Sequence, residues 1–155
     1  MPVTLLQLEL PQLGALRADP TRLDAVPVVT GALPPRFILD AAVAALKGGK
    51  PPLWFSPFLF VEGISPRAVG SGGFKGAPRN GRVEIGYGVA GECRGRGIAT
   101  EAIARLATVA FRQPDVVEVF AETAMDNGPS QRVVQKAGFR HAGQRDAGED
   151  GVVDQ

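Results

Sequence analysis

Between Ala99 and Ala110 the apolar residues Ala99, Ala102, Ile103, Leu106, Val109 and Ala110 recur at the i, i+3, i+4 spacing of one helix face, and Gln113-Pro114 closes the pattern. The run Val83 to Val89 before it reads as a strand, with Asn80-Gly81 ahead of it as a hairpin signal. Val116 to Thr123 is the next strand, so strand, helix and strand in that order predict a parallel pair joined by a crossover. Upstream, Val3 to Leu10 alternates as a first strand that Pro11 is expected to end. Residues 12 to 49 carry helical stretches, clearest from Arg36 to Leu46, before Gly48-Gly49 stops the pattern. Pro27, Pro34 and Pro35 break the earlier part. Leu53 to Glu62 is rich in aromatic and β-branched residues and predicts a strand, with Pro57 implying an edge or a bulge. Ala68 to Lys75 follows as its neighbour.

A last helix is expected from Pro129 to Ala137, with Asn127 as N-cap, Gly138 as a left-handed C-cap and Phe139 as its apolar partner. Together these elements predict an α/β (α+β) fold: a mixed, mostly antiparallel sheet of about six or seven strands with helices on both faces.

Length and charge narrow the class. A chain of 155 residues, 45% hydrophobic, supports one sizeable core, so a single domain over 1–155 is expected. No apolar run approaches the ~20 residues of a membrane span. A net charge of +1 with scattered arginines leaves no nucleic-acid footprint. One cysteine forms no internal disulfide, and the amino end lacks a basic segment leading into an apolar stretch, so a cytoplasmic protein is expected. With one histidine and one cysteine, no metal site is expected.

The chemistry concentrates in Cys93-Arg94-Gly95-Arg96-Gly97-Ile98-Ala99-Thr100, at the junction of the Val83 strand and the Ala99 helix. Glycines at 95 and 97 permit positive φ, so successive N–H groups can point into one concavity at a helix start, an arrangement suited to a phosphate or pyrophosphate. Arg94 and Arg96 strengthen that preference. The simpler reading is a chain reversal with no ligand. No Gly-Lys-Ser or Gly-Lys-Thr follows, which excludes a P-loop, and three spaced glycines opening a helix are missing, which excludes the dinucleotide fingerprint.

What remains, Arg-x-x-Gly-x-Ala at Arg94, Gly97 and Ala99, resembles the coenzyme A pyrophosphate loop of the GNAT acyltransferase superfamily. Val83-Glu84-Ile85-Gly86-Tyr87-Gly88-Val89 before it, and Asn127-Gly128-Pro129-Ser130 to Lys136-Ala137-Gly138-Phe139 after it, are similar to the branch containing the ribosomal-protein N-terminal acetyltransferases (RimJ/RimL-like). The three blocks keep the family order and spacing over roughly residues 80 to 143.

The resemblance implies an acetyl-CoA-dependent N-acetyltransferase that acts on a primary amine by direct transfer in a ternary complex. The acceptor would be a protein or peptide N-terminus or a small-molecule amine. Coenzyme A would be held by backbone N–H groups of Arg94, Gly95, Arg96, Gly97, Ile98, Ala99 and Thr100, with the pantetheine arm along the main chain of Val89 and Ala90. It also implies Glu84 as general base and Ser130 as the hydroxyl that protonates the leaving thiolate, with Asn127 on the pantetheine. Each has a plainer reading: Glu84 as a solvated strand residue, Ser130 as a first-turn hydroxyl, Asn127 as a cap. Glu122 is the fallback base. Tyr87 reads as core or pocket wall, and Arg132 and Lys136 as a solvated helix face or as partners of the adenosine 3′-phosphate. Cys93 reads as structural, since no histidine base stands near it in sequence.

The family usually ends in a two-strand hairpin. Arg140 to Gln144 and Val152 to Gln155 would supply it, the second strand being so short that the chain reads as truncated there. Homodimers are common in the family. The competing functions are a non-catalytic acyl-CoA-binding regulatory module of the same fold, and a nucleotide- or phosphate-binding domain unrelated to acyl transfer.

Overall fold

Strand β1 covers Val3–Gln7 and helix α1 covers Leu10–Ala18. The computed structural model describes residues 2–123, 128–145 and 148–154, with side chains over 2–121 and 132–140. Pro11, expected to end the first strand, instead sits in the first turn of α1, where its missing N–H removes no helical hydrogen bond. The Gln12 side chain accepts the Glu9 N–H at 2.8 Å and closes that turn. A short hairpin of β2 (Arg22–Leu23) and β3 (Val26–Pro27) precedes α2 (Arg36–Lys47), which begins where expected and runs one residue further.

The expected strand from Leu53 to Glu62 is two elements. Pro52–Phe55 forms the short helix α3, and only Phe58–Glu62 forms β4. Tandem prolines at 51 and 52 pre-set φ for a helical turn, and Pro57 marks the change of element. Trp54 from α3 is buried edge-on against Phe74, 4.9 Å between ring centroids. A register shift falls between Phe60 and Val61.

Strand β5 (Arg67–Phe74) pairs antiparallel with β4 and with β6 (Arg82–Val89). Asn80 and Gly81 take φ of 52° and 76°, and Arg79 and Arg82 exchange both backbone hydrogen bonds at 2.8 and 3.0 Å, as the hairpin signal predicted. A 3₁₀ turn at Gly91–Cys93 and helix α4 (Ile98–Phe111) carry the chain to β7 (Glu118–Thr123), parallel to β6. Then come α5 (Gly128–Lys136), β8 (Arg140–Arg145) and β9 (Gly148–Asp154). The sheet order is β1-β4-β5-β6-β7-β9-β8, mixed and mostly antiparallel.

The last strand is longer than the sequence suggested, pairing with β7 from Glu118↔Asp154 to Thr123↔Glu149. Gly148-Glu149-Asp150-Gly151 has no apolar alternation, so its strand character comes from neighbours on both sides rather than from pattern. Gly138, at φ +98°, ends α5 as a left-handed cap, and the Phe139 N–H donates to Val134 O at 3.0 Å.

Two cores result. On one sheet face Phe60, Ile85 and Val119 pack with Ile103 and Leu106 of α4 and Val134 of α5. On the other, Leu59 and Ala68 pack with Leu13 and Leu16 of α1 and Leu39 and Val43 of α2. Gly70 and Gly72 let Phe60 lie across β5: a Cβ at Gly72 would stand 2.7 Å from both Gly86 O and Phe60 Cζ. Among the described residues, no helix is long and apolar enough to cross a membrane.

Candidate functional site

The parallel ladder of β6 and β7 runs from Arg82↔Glu118 to Glu84↔Phe120, although β6 continues to Val89 and β7 to Thr123. The two strands therefore form a fork. Its base is clamped by an Arg82–Glu118 ion pair and by the Arg82 guanidinium over the Phe120 ring, 4.5 Å from the centroid. Lys75 N–H donates to Glu84 O, and Ala90 N–H donates to Val69 O. Residues 84, 86, 88 and 90 thus turn their main-chain groups toward β5, and by alternation Ile85, Tyr87 and Val89 turn theirs into the fork.

Of the two residues expected to present main chain to a pantetheine arm, Val89 turns its main chain into the fork and Ala90 does not. The Ala90 N–H is taken by Val69 and its carbonyl accepts the Cys93 N–H at 2.9 Å.

The loop after β6 has the form its glycines suggested. Gly95 and Gly97 take φ of +80° and +78°, and Gly97 is the left-handed residue from which α4 starts. Cys93 and Ile98 are buried on either side and fasten the loop to the core. The amides of Ile98, Ala99 and Thr100 belong to the first helical turn, where no intrahelical acceptor exists. They carry the positive end of the helix dipole.

This loop, the fork end of β6 and α5 enclose a cleft of about 790 Å³. Arg94, Gly95, Gly97, Ile98, Ala99 and Thr100 line it, as do Tyr87 and Val89. Arg94 Nε also donates to Val89 O at 3.3 Å. Across the cleft stand the exposed Arg132 and Lys136 of α5, which sequence reading left as either a solvated face or phosphate partners.

Arg96 is the exception within the loop. Its guanidinium leaves the cleft and donates to Glu62 Oε1 at 2.7 Å. That hydrogen bond, above all, raises the Arg96 guanidinium further above its already high value. The two arginine side chains therefore point in different directions although the sequence treats them alike.

Glu84 lies on the sheet face opposite Val83 and Ile85, outside the cleft, and its carboxylate pairs with Lys75 Nζ at 3.0 Å. An added Cβ at Gly86 would meet Lys75 Cε, so Glu84, Lys75 and Gly86 share that face. Cys93 is fully buried, with its Sγ 3.9 Å from Arg67 Nη2, which fits a structural thiol. Ser130 belongs to α5, but its side chain and that of Glu122 lie outside the described side chains, and Asn127 lies outside the described residues altogether. Sequence reading missed Glu62 and Arg67. The available signal was a carboxylate closing the otherwise apolar run Phe58-Leu59-Phe60-Val61, since a carboxylate on such a strand is rarely buried without a partner.

Comparison with known proteins adds to this geometry. A family model described as an acetyltransferase (GNAT) domain matches residues 9–140. A Bacillus subtilis (strain 168) protein named as an uncharacterized N-acetyltransferase, YjdG, is 33% identical over 86 residues, 55% of this chain and 51% of that protein. The chain thus matches about half the length of that curated relative. Among solved structures, AAC(6')-Ib in complex with ribostamycin and coenzyme A aligns with a TM-score of 0.67 at 18% identity, covering 100% of this chain and 94% of the other. Mycobacterium smegmatis RimJ in complex with CoA-disulfide aligns with a TM-score of 0.66 at 21% identity, covering 98% and 81%. At these identities the structural likeness is one of fold.

Proposed function

Because the chain belongs to the GNAT acetyltransferase family, we propose that it transfers the acetyl group of acetyl-CoA to a primary amine while both substrates are bound. The observation that carries this reading is the fork beside a phosphate-shaped loop: strand edge and helix-start amides meet in one cleft. The extended pantetheine arm has amides that would hydrogen-bond the open edge of β6 at Val89, as an added strand would. Its pyrophosphate would lie on the N–H groups of residues 95–100, the Arg94 N–H being taken by Gly91 O, with the side chains of Arg94, Arg132 and Lys136 supplying positive charge.

The amine would enter from the face that carries Glu84. Its nitrogen forms the new C–N bond at the thioester carbon as the C–S bond breaks, and an N–H of the β6 edge stabilises the developing oxyanion. Glu84 would take one amine proton through water before attack; the proton that nitrogen sheds as the adduct collapses would pass through the Ser130 hydroxyl, which gives its own proton to the departing thiolate and takes that one in return. Both a protein N-terminus and a small-molecule amine fall within this reading. RimJ is a structural neighbour and so is AAC(6')-Ib, whose complex holds the aminoglycoside ribostamycin.

Calorimetric titration with acetyl-CoA tests the donor half without an acceptor. One-to-one binding is expected, and its absence would overturn the proposal. Release of coenzyme A on adding peptide N-termini or small amines then identifies the acceptor. Glu84→Gln should lower kcat/KM for transfer by roughly 10²-fold while leaving coenzyme A affinity within a factor of about two. Undiminished turnover would leave Glu84 as an ordinary partner of Lys75.

A further inference from the structure

Glu62, the last residue of β4, is a carboxylate with 8% of its side chain exposed, and two guanidiniums converge on it. Arg96 Nη2 stands 2.7 Å and Arg67 Nη2 3.5 Å from the same oxygen, Oε1. Arg67 reaches onward to the loop itself, with Nη1 4.0 Å from Glu92 Oε1 and Nη2 3.9 Å from Cys93 Sγ. Both arginines approach from the half-exposed side, at 41% and 47% exposure, so they can turn to water if released, whereas Glu62 cannot. A buried carboxylate without a cation is costly, which makes the pairing a strong constraint on wherever Arg96 is attached.

Arg96 is attached to the middle of the phosphate-shaped loop. The flanking Arg94, Gly95 and Gly97 all line the cleft, and Arg96 does not. Its side chain runs from the back of the loop to the end of β4. An anion in the cleft would have to draw the guanidinium away from a buried carboxylate already at hydrogen-bond distance.

We propose that Glu62 is a positioning residue for the loop: through Arg96 it fixes the peptide planes of residues 95–98 so that their N–H groups converge, and Arg96 acts on the sheet rather than on the ligand. The role rests on the coenzyme A reading above. With glycines at 95 and 97 the loop is intrinsically permissive, and the ion pair limits the conformations it samples before any phosphate arrives.

The sign of one substitution separates this role from direct phosphate binding. If Arg96 were a phosphate ligand restrained by Glu62, Glu62→Gln would free it and tighten coenzyme A binding. If Glu62 positions the loop, Glu62→Gln weakens binding. The experiment is a double-mutant cycle read by calorimetry with coenzyme A on the full chain: wild type, Glu62→Gln, Arg96→Gln and the double variant. Each single variant is expected to raise Kd by about tenfold, with the double variant no worse than either single one. Arg96→Lys should recover part of the loss, and hydrogen exchange should quicken at amides 95–98 while those of β4 and β5 keep their rates.

Tighter or unchanged binding in Glu62→Gln overturns the role, as does a double variant whose effects multiply to about hundredfold. Faster exchange throughout the sheet also overturns it, since Glu62 would then support the fold rather than the loop. If wild type itself binds no coenzyme A, the proposed function fails and the role with it. Wild-type binding with an indifferent Glu62→Gln variant removes the role alone.

Discussion

Gly97 concentrates the local argument into one residue. Its φ of +78° would strain any L side chain by about 1–2 kcal/mol, yet an added Cβ meets no atom within 4 Å, because the position opens onto the cleft. Gly97→Glu should therefore keep the fold by circular dichroism while abolishing calorimetric binding of coenzyme A, since a carboxylate would occupy the place of a phosphate. Retained affinity would mean that the loop is only a turn. The contrast between Arg94 and Arg96 marks the limit of sequence at this scale. Glycine spacing foretold the loop and its positive φ values, but which arginine faces the cleft depends on Glu62, a residue 34 positions from Arg96. Linear spacing carries no information about that partner.

Helix α4 is the element on which most of the site depends, and it is tied to the sheet edge by Glu101. That carboxylate accepts the Val3 N–H at 2.8 Å and Arg105 Nε at 2.9 Å, in the helical turn where negative charge is favoured. Burial pushes the Glu101 carboxyl up, but these two partners outweigh it and hold it below the ordinary glutamate value of 4.5. A lowered carboxylate stabilises the fold fully above the ordinary value and loses that contribution as pH falls through the folded one. Glu101→Gln should thus lower Tm near neutral pH, with the gap to wild type closing below about pH 4.5. A gap that is constant with pH would rule out the charge as its cause. Strongly periodic elements such as α4 and β6, and the Asn80-Gly81 turn, were legible because local chemistry decides them. Pro11 misled because proline ends one element and starts another with the same fixed φ, and the helical turn that Pro51-Pro52 opens was hidden inside an apparently continuous strand. Strand β9 was under-read because its partners on β7 lie about 30 residues away, beyond the reach of pattern.

Across the whole molecule, the two cores hold the sheet from opposite sides, and Phe60 sits where β4, β5 and β6 must approach closely. Gly72→Ala would set a methyl against the Gly86 carbonyl, a backbone atom that cannot step aside, and against the Phe60 ring. A loss of about 1–3 kcal/mol is expected, visible as a fall in Tm of roughly 2–4 °C for each kcal/mol. An unchanged Tm would show that the sheet relaxes more freely than its packing implies. The fork has a further consequence at this scale. An unpaired strand edge is ordinarily a hazard, because another chain can add to it and begin aggregation. Here the fork end of β6 at Val89 lies in the interior of the sheet order, with β7 on one side and the glycine loop and α5 lining the approach. On the coenzyme A reading, that position offers the strand's hydrogen bonds at Val89 to a slender, extended ligand at a place inside the sheet and not at its rim.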